Sequence, residues 1–208
     1  MPSIPNLIVP DTLSKEAQHA LRLAGDHPLA NLVVTSGASP EARDMLEMLK
    51  PVNVLAKPVA NASQVSSGRI HAHLAIAGLW LLHDALDDAH KICQKYEEGE
   101  GAQTAAFWHA SLHRREGDFS NAKYWYSLAG KHAALNTLAS HASQLTREFA
   151  ANKMIFKITA RGFDPSAFVD FCEAAHEDPR SHQHGAAVML QRLEWQVLMA
   201  DTIRMAQT

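Results

Sequence analysis

The composition of this 208-residue chain is that of an ordinary globular protein. Hydrophobic residues make up 47% of it and charged residues 20%, which argues against intrinsic disorder and leaves enough apolar surface for one core. The formal net charge is -3 and no long block of like charges occurs, so the sequence lacks the basic footprint of a nucleic-acid-binding protein. We therefore expect a single domain over residues 1–208 with no nucleic-acid partner.

Targeting and membrane-spanning segments are not apparent in the sequence. No uninterrupted apolar run approaches the roughly 18 residues of a transmembrane helix, and residues 1–13 lack the basic and apolar regions of a secretory signal. Cys93 and Cys172 lie in apolar helical patterns without a CxxC companion, which is typical of reduced, buried thiols. We therefore expect a cytoplasmic protein that does not bind a membrane.

The N-terminal third is predicted to hold two helices and a connector. Asp11 is placed to cap a helix over residues 11–24. Ser39 and Pro40 supply the N-cap and the first-turn proline of a second helix. Residues 51–68 are rich in Pro, Asn, Ser and small side chains, which indicates an irregular connector that includes an extended piece.

After this connector, apolar residues recur at helical spacing almost to the end of the chain. The predicted helices span residues 70–82, 88–97, 103–115, 121–130, 133–151, 164–175 and 186–205. The gaps between them are short, so neighbouring helices should form antiparallel hairpins. The last helix has a broad apolar face, which is expected to pack on the body of the protein or on a second copy in a homodimer.

These elements predict an all-α fold, a compact bundle of antiparallel helical hairpins in one domain. A short irregular or extended segment, which includes the β-branched residues 31–36, precedes the bundle. The domain is expected to comprise N-terminal helices and connector over 1–68, duplicated hairpins over 69–132, and C-terminal helices over 133–208.

The duplication is visible in residues 84–92 and 117–125. Each stretch has a turn residue, a large apolar third position, a polar N-cap (Asp87 or Ser120) and then an alanine, and the offset between them is 33 residues, 122 − 89. A period of about 33–34 residues is that of tetratricopeptide-type helical hairpins. We therefore expect two hairpins of the same design with a groove between them.

Residues 117–129 resemble the turn and second helix of a tetratricopeptide or Sel1-like repeat, with Ala122, Tyr126 and Ala129 at packing positions. Longer stretches, 109–125 and 163–170, resemble an uncharacterised family of bacterial and fungal proteins. That family has no assigned activity, so the resemblance implies a helical fold and supplies no catalytic residues.

Histidine is concentrated in the same region, with seven of the 13 copies between His71 and His132. On a continuous helix His109, His113 and Glu116 share one face, and the spacing recurs at residues 83, 87 and 90. Imidazoles and carboxylates in such rows suit zinc, iron or manganese. The candidate metal ligands are His83, His90, His109, His113 and Glu116.

A second interpretation assigns these histidines no metal. Asp87 is then a helix N-cap, which breaks the first row, while His83, His113 and Glu116 lie at helix ends, where the two histidines interact with the last carbonyl groups. In this interpretation the protein has no cofactor.

Aromatic and polar residues of the second hairpin are candidates for binding a peptide, a protein or a small molecule in the groove. They are Trp108, Arg114, Arg115, Asn121, Lys123 and Trp125. The alternative is that the tryptophans are core residues, and that the arginines form surface ion pairs with Glu116 or clamp a small anion. We expect the tryptophans to be core residues and the arginines to be surface charges.

The sequence contains no glycine-rich phosphate loop, GxSxG elbow or HExxH motif. The predicted function is therefore that of a helical binding or interaction protein that uses the groove between the hairpins. The alternative is a metal-binding protein or metal-dependent enzyme that uses the histidine cluster of residues 83–116.

Overall fold

The computed structural model describes residues 10–25, 28–57, 66–145 and 153–208, in which helices are joined by turns and loops without a β-sheet. The α-helices are α1 (Lys15–Leu23), α2 (Pro40–Glu47), α3 (Ser67–Leu82), α4 (Leu86–Cys93), α5 (Ala102–Glu116), α6 (Phe119–Ala129), α7 (Ala134–Leu145), α8 (Lys153–Thr159), α9 (Pro165–His176) and α10 (His182–Ala206). Short 3-10 helices occupy Pro10–Thr12 and Gln94–Tyr96. The predicted all-α class is confirmed.

The two N-terminal helices each start directly after a serine N-cap. Ser39 caps α2 and Pro40 is its first residue, as predicted. The prediction for α1 is wrong at its start, because Ser14 rather than Asp11 accepts the free amide of the first turn, from Ala17 N at 3.1 Å. Residues 31–36 form no strand; the N–H of Val34 instead donates to the carbonyl of Arg115 at 2.8 Å.

The C-terminal part differs from the prediction in one additional helix and in the start of the last helix. Helix α8 was not expected, and the predicted helix over 133–151 ends in a range that lies partly outside the described residues. Helix α10 starts earlier than predicted because Ser181 accepts the amide of His184 at 3.0 Å. Its apolar side chains are buried against α3, α7 and α9, which is the packing on the body that the sequence allowed.

The turns that join α3 to α4 and α5 to α6 have the same backbone conformation at an offset of 33 residues, 117 − 84. Asp84 and Gly117 both have a left-handed φ, 62° and 84°. Each turn is closed by an equivalent hydrogen bond, from Ala85 N to Trp80 O at 3.1 Å and from Asp118 N to His113 O at 3.0 Å. The second helix of each pair therefore starts in register.

The expected N-caps lie two residues too late in both turns. Ala85 is the N-cap of α4 and makes no side-chain bond, so Asp87 is an exposed residue of the first turn. Asp118, rather than Ser120, caps α6 by accepting from Asn121 N at 3.1 Å.

Close helix packing around Gly78 of α3 holds the centre of the bundle. The indole N–H of Trp195 in α10 donates to Gly78 O at 2.8 Å. A Cβ atom at Gly78 would lie 2.7 Å from the ring of Trp108 in α5 and 3.2 Å from Met199 Sδ. Glycine at this position therefore lets α3, α5 and α10 meet. Within the described part of the chain, no helix has the length and apolar character needed to cross a membrane.

Replacing Gly78 with alanine should destabilise the protein by about 1–3 kcal/mol, because the added methyl group overpacks the contact with Trp108. Gly185→Ala in α10 is the matched control, since a Cβ there meets no atom within 4 Å. That change should raise the free energy of unfolding by up to about 1 kcal/mol through helix propensity. Urea denaturation of both variants measures the difference, and equal effects at the two sites would refute this account of the packing.

Candidate functional site

Three of the predicted metal ligands converge where α4, α5 and α6 meet. His90 lies on α4 and is half-buried, whereas His109 and His113 lie one turn apart on α5 and are buried. One ring nitrogen from each of the three lies within 4.8 Å of the other two. The ring of His90 is 4.5 Å from that of His109 and 5.2 Å from that of His113, between centroids.

His109 is the central residue of this cluster. Its side chain is 1% exposed, and neither ring nitrogen has a hydrogen-bond partner among the described residues. The ring stacks on Trp125 of α6 at 3.9 Å and on His113 at 4.9 Å. Burial, and then the charges that His90 and His113 would carry, lower the pKa of His109 to about 3. His109 is therefore neutral at physiological pH, which is the form that binds a metal.

His113 is oriented by a carboxylate. Its Nδ1 donates to Glu116 Oε2 at 2.7 Å, which leaves Nε2 as the free nitrogen. Histidine ligands of metals commonly donate their second nitrogen to a carboxylate in this way, which fixes the ring and raises its basicity. Glu116, predicted as a direct ligand, is therefore placed to support His113.

The arrangement can hold a divalent transition metal. Zinc–nitrogen bonds of about 2.0–2.1 Å place tetrahedral ligand atoms about 3.3 Å apart, so the nitrogens, now up to 4.8 Å apart, would have to move closer together. His90 is half-buried and its short helix has two turns, so this side of the cluster has the most freedom to adjust.

His83 does not join the cluster. It ends α3, and its Nε2 donates to the carbonyl of Ala20 in α1 at 2.8 Å, where burial lowers its pKa. Asp87, which shared the predicted row, is exposed and is not part of the group of converging ligands. The first row is therefore broken, but not by the N-cap at Asp87 that the second interpretation expected, because Ala85 is the N-cap. That interpretation is also wrong about the partner of His83, which is a carbonyl of α1 and not one at the end of its own helix. The convergence of His90 with α5 was expected only by the first interpretation.

The expectation that Arg114 is a surface charge is wrong. Arg114 is fully buried and pairs with Glu194 of α10, while its Nη1 donates to Gln191 Oε1 at 2.8 Å. The hydroxyl of Tyr126 donates to the other oxygen of Glu194, and the guanidinium lies 4.5 Å above the ring of Phe168. Arg114 therefore joins α5 to α10 inside the core.

The same correction applies to Arg115, which is also fully buried. It donates to Leu81 O at 2.7 Å and to Asp84 Oδ1 at 2.6 Å, in the turn after α3. A longer bond of 3.4 Å reaches Asn31 O. Neither arginine presents its charge to solvent, so neither is available to clamp an anion at the surface.

The remaining groove candidates are divided between the core and the surface. Trp108 is 1% exposed and donates to Thr202 Oγ1 at 3.2 Å, on the side of α5 that packs against α10. Lys123 forms a half-exposed ion pair with Asp170 of α9 at 2.5 Å, and Asn121 and Trp125 are half-buried. The six residues therefore do not line one shared groove.

Sequence reasoning missed Glu194, the carboxylate that balances Arg114. The available signal was a charged residue between Leu193 and Trp195 in a broadly apolar helix, since a buried charge needs a partner. Both cysteines are buried and unpaired, as predicted, and burial raises the pKa of Cys172 to about 12.

Comparison of the chain with protein-family models, curated proteins and solved structures gives no significant match. The function is therefore argued from the geometry of the site.

Breaking the buried ion pair should be far more costly than breaking an exposed one. Arg114→Met leaves the Glu194 carboxylate buried without its cation and should lower the free energy of unfolding by about 3–5 kcal/mol. The control Lys123→Met removes the half-exposed pair with Asp170 and should change it by about 1 kcal/mol or less. Chemical denaturation gives both values, and a loss at Arg114 no larger than at Lys123 would contradict the assignment.

Acid should destabilise the protein through the buried His109 and the half-buried His73. The pKa values of His109 and His73 are lowered from 6.5 to about 3 and about 4, so below pH 6.5 the unfolded chain binds protons that the folded chain does not. The melting temperature should therefore fall as the pH falls from 6.5 towards 4. His109→Phe removes one contribution and should flatten this dependence, whereas His182→Phe, at an exposed position, should not. An unchanged slope in His109→Phe would contradict the role of His109.

Proposed function

We propose that the protein binds one divalent transition-metal ion through His90, His109 and His113, with zinc as the preferred ion. The observation that carries this proposal is that both ring nitrogens of His109 are buried without a hydrogen bond among the described residues. A buried polar group without a hydrogen bond costs about 1–3 kcal/mol, yet both nitrogens of this ring are unpartnered and two further imidazoles face it. A metal ion that accepts the lone pair of one nitrogen would offset that cost.

The donor atoms support the choice of metal. Three imidazole nitrogens suit zinc and iron, whereas manganese prefers oxygen donors, so the all-nitrogen cluster favours the first two of the predicted metals. Glu116 supports the site from outside, bonded to His113. Three protein ligands are also the number found in catalytic zinc sites, where water takes the fourth position.

The alternative of a binding groove between the hairpins has less support. Trp108, Arg114 and Arg115 are buried and engaged with internal partners, so half of the candidate groove residues have no free surface. The half-buried indole of Trp125 is stacked on His109, which makes it a wall of the metal cluster. We therefore prefer the metal-binding function.

The test is a metal titration of untagged, chelator-treated protein, followed by calorimetry with Zn²⁺ and by the absorption spectrum with Co²⁺. We expect one ion per chain, and loss of that ion in His109→Ala combined with His113→Ala. His90→Ala removes a half-buried ligand and is less disruptive to the core, so it should weaken binding while the far-UV circular dichroism stays unchanged. Glu116→Gln should weaken binding by about 10–100-fold.

His182→Ala serves as the matched control because this histidine is exposed and lies outside the cluster. Its metal content should equal that of the unmodified protein. Absence of a stoichiometric ion, or retention of the ion in the double variant, would overturn the proposal.

A further inference from the structure

A second polar site lies at the opposite end of α5 from the predicted metal cluster. A cavity of about 370 Å³ opens between the starts of α3, α5 and α7 and the end of α10. Its wall includes the buried side chains of His71, Thr104 and His132, together with Asp201 of α10. This volume is at the lower end of the range of small-molecule sites, about 300–1,000 Å³.

The buried imidazoles and the hydroxyl of this cavity satisfy one another. His132 Nδ1 accepts the amide of Ala134 at 3.2 Å, so its Nε2 carries the proton and donates to Thr104 Oγ1 at 3.0 Å. Thr104 lies 3.4 Å from Nε2 of His71, whose Nδ1 donates to the carbonyl of Ser67 at 2.8 Å. Burial lowers the pKa of His132, which favours the neutral form of that imidazole.

Asp201 is not satisfied in the same way. Its Oδ1 accepts from both Nη2 and Nε of Arg204, at 2.6 and 3.1 Å. Its Oδ2 is buried and has no hydrogen-bond partner among the described residues. His132 Nδ1 lies 3.9 Å from Asp201 Oδ2, and this nitrogen already accepts the amide of Ala134. A carboxylate oxygen buried on a cavity wall without a donor calls for a donor from the ligand, and an ammonium group supplies a charged one.

The other side of the same cavity offers the complementary charge. The N-cap of α5 is Gly101, which gives no side-chain cap to the amides of the first turn, and Gln103 of that turn lines the cavity. A ligand carboxylate placed there would accept those amides and interact with the positive end of the helix. Glu100 opposes an anion at this position and Arg204 favours one, so the helix end serves only to orient a ligand held by Asp201.

We propose that this cavity binds a small amino-acid zwitterion, with its ammonium group on Asp201 Oδ2 and its carboxylate towards the first turn of α5. The site shares none of its lining residues with the metal cluster. It is therefore independent of the proposed metal-binding function.

Isothermal calorimetry and thermal melting of the metal-free chain test this proposal. The probes are glycine, β-alanine and 4-aminobutyrate, which differ only in the spacing of their charges, followed by the standard L-amino acids. Butylamine and butyrate carry one charge each, and each should bind at least about tenfold more weakly than the zwitterion that binds best. At least one zwitterion should bind and raise the melting temperature, by an amount that grows with the logarithm of its concentration above the dissociation constant.

Asp201→Asn should weaken that binding about tenfold or more, because the amide loses the charge that holds the ammonium group. Asp170→Asn, at a half-exposed ion pair, is the matched control and should bind as the unmodified chain does. Ala133→Trp gives a second arm, since Ala133 is exposed at the rim and a bulky side chain there should block the cavity without disturbing Asp201.

His109→Ala combined with His113→Ala should leave zwitterion binding unchanged, which separates a failure here from a failure of the metal proposal. If no probe raises the melting temperature, or if binding survives both Asp201→Asn and Ala133→Trp, the assignment of this cavity is wrong.

Discussion

Burial of α5 on all sides is the constraint on which the rest of the structure depends. From Thr104 to Arg115 every residue of this helix is buried, although the stretch carries two histidines and two arginines. Because successive residues of a helix turn by about 100°, each of these polar side chains faces a different neighbour and needs its own partner there. Arg114 is matched by α10, Arg115 by the turn after α3, and His113 by Glu116. His109 has no such partner among the described residues, which is why it marks the candidate site.

Features set by local chemistry were predictable from the sequence. Ser39 and Pro40 define the start of α2, and Asp164 followed by Pro165 defines that of α9, since an N-cap and a first-turn proline act within one turn. The spacing of His109 and His113 placed both on one face of a helix, and the 33-residue offset placed α4 beside α5. Those relations brought His90 into the predicted cluster.

Features set by distant partners were not predictable. A helix buried on all sides has no apolar stripe that distinguishes its core side, so Arg114 and Arg115 looked like surface charges. The carboxylate that balances Arg114 comes from Glu194, 80 residues further along the chain, and the acceptor of His83 comes from Ala20, 63 residues before it. Such pairs depend on how α1, α5 and α10 pack, which the periodicity of a single helix does not specify.

The two arginines beside His113 bear on how fast an ion could exchange. Rotation or sliding of α5 would break the ion pairs of Arg114 with Glu194 and of Arg115 with Asp84 together, so His109 and His113 are held in place relative to the rest of the bundle. His90, by contrast, is half-buried and lies on a helix of only eight residues. In the proposed metal site, two of the three histidines would therefore be held in place by the packing of α5, and the third would move with α4 when an ion enters or leaves.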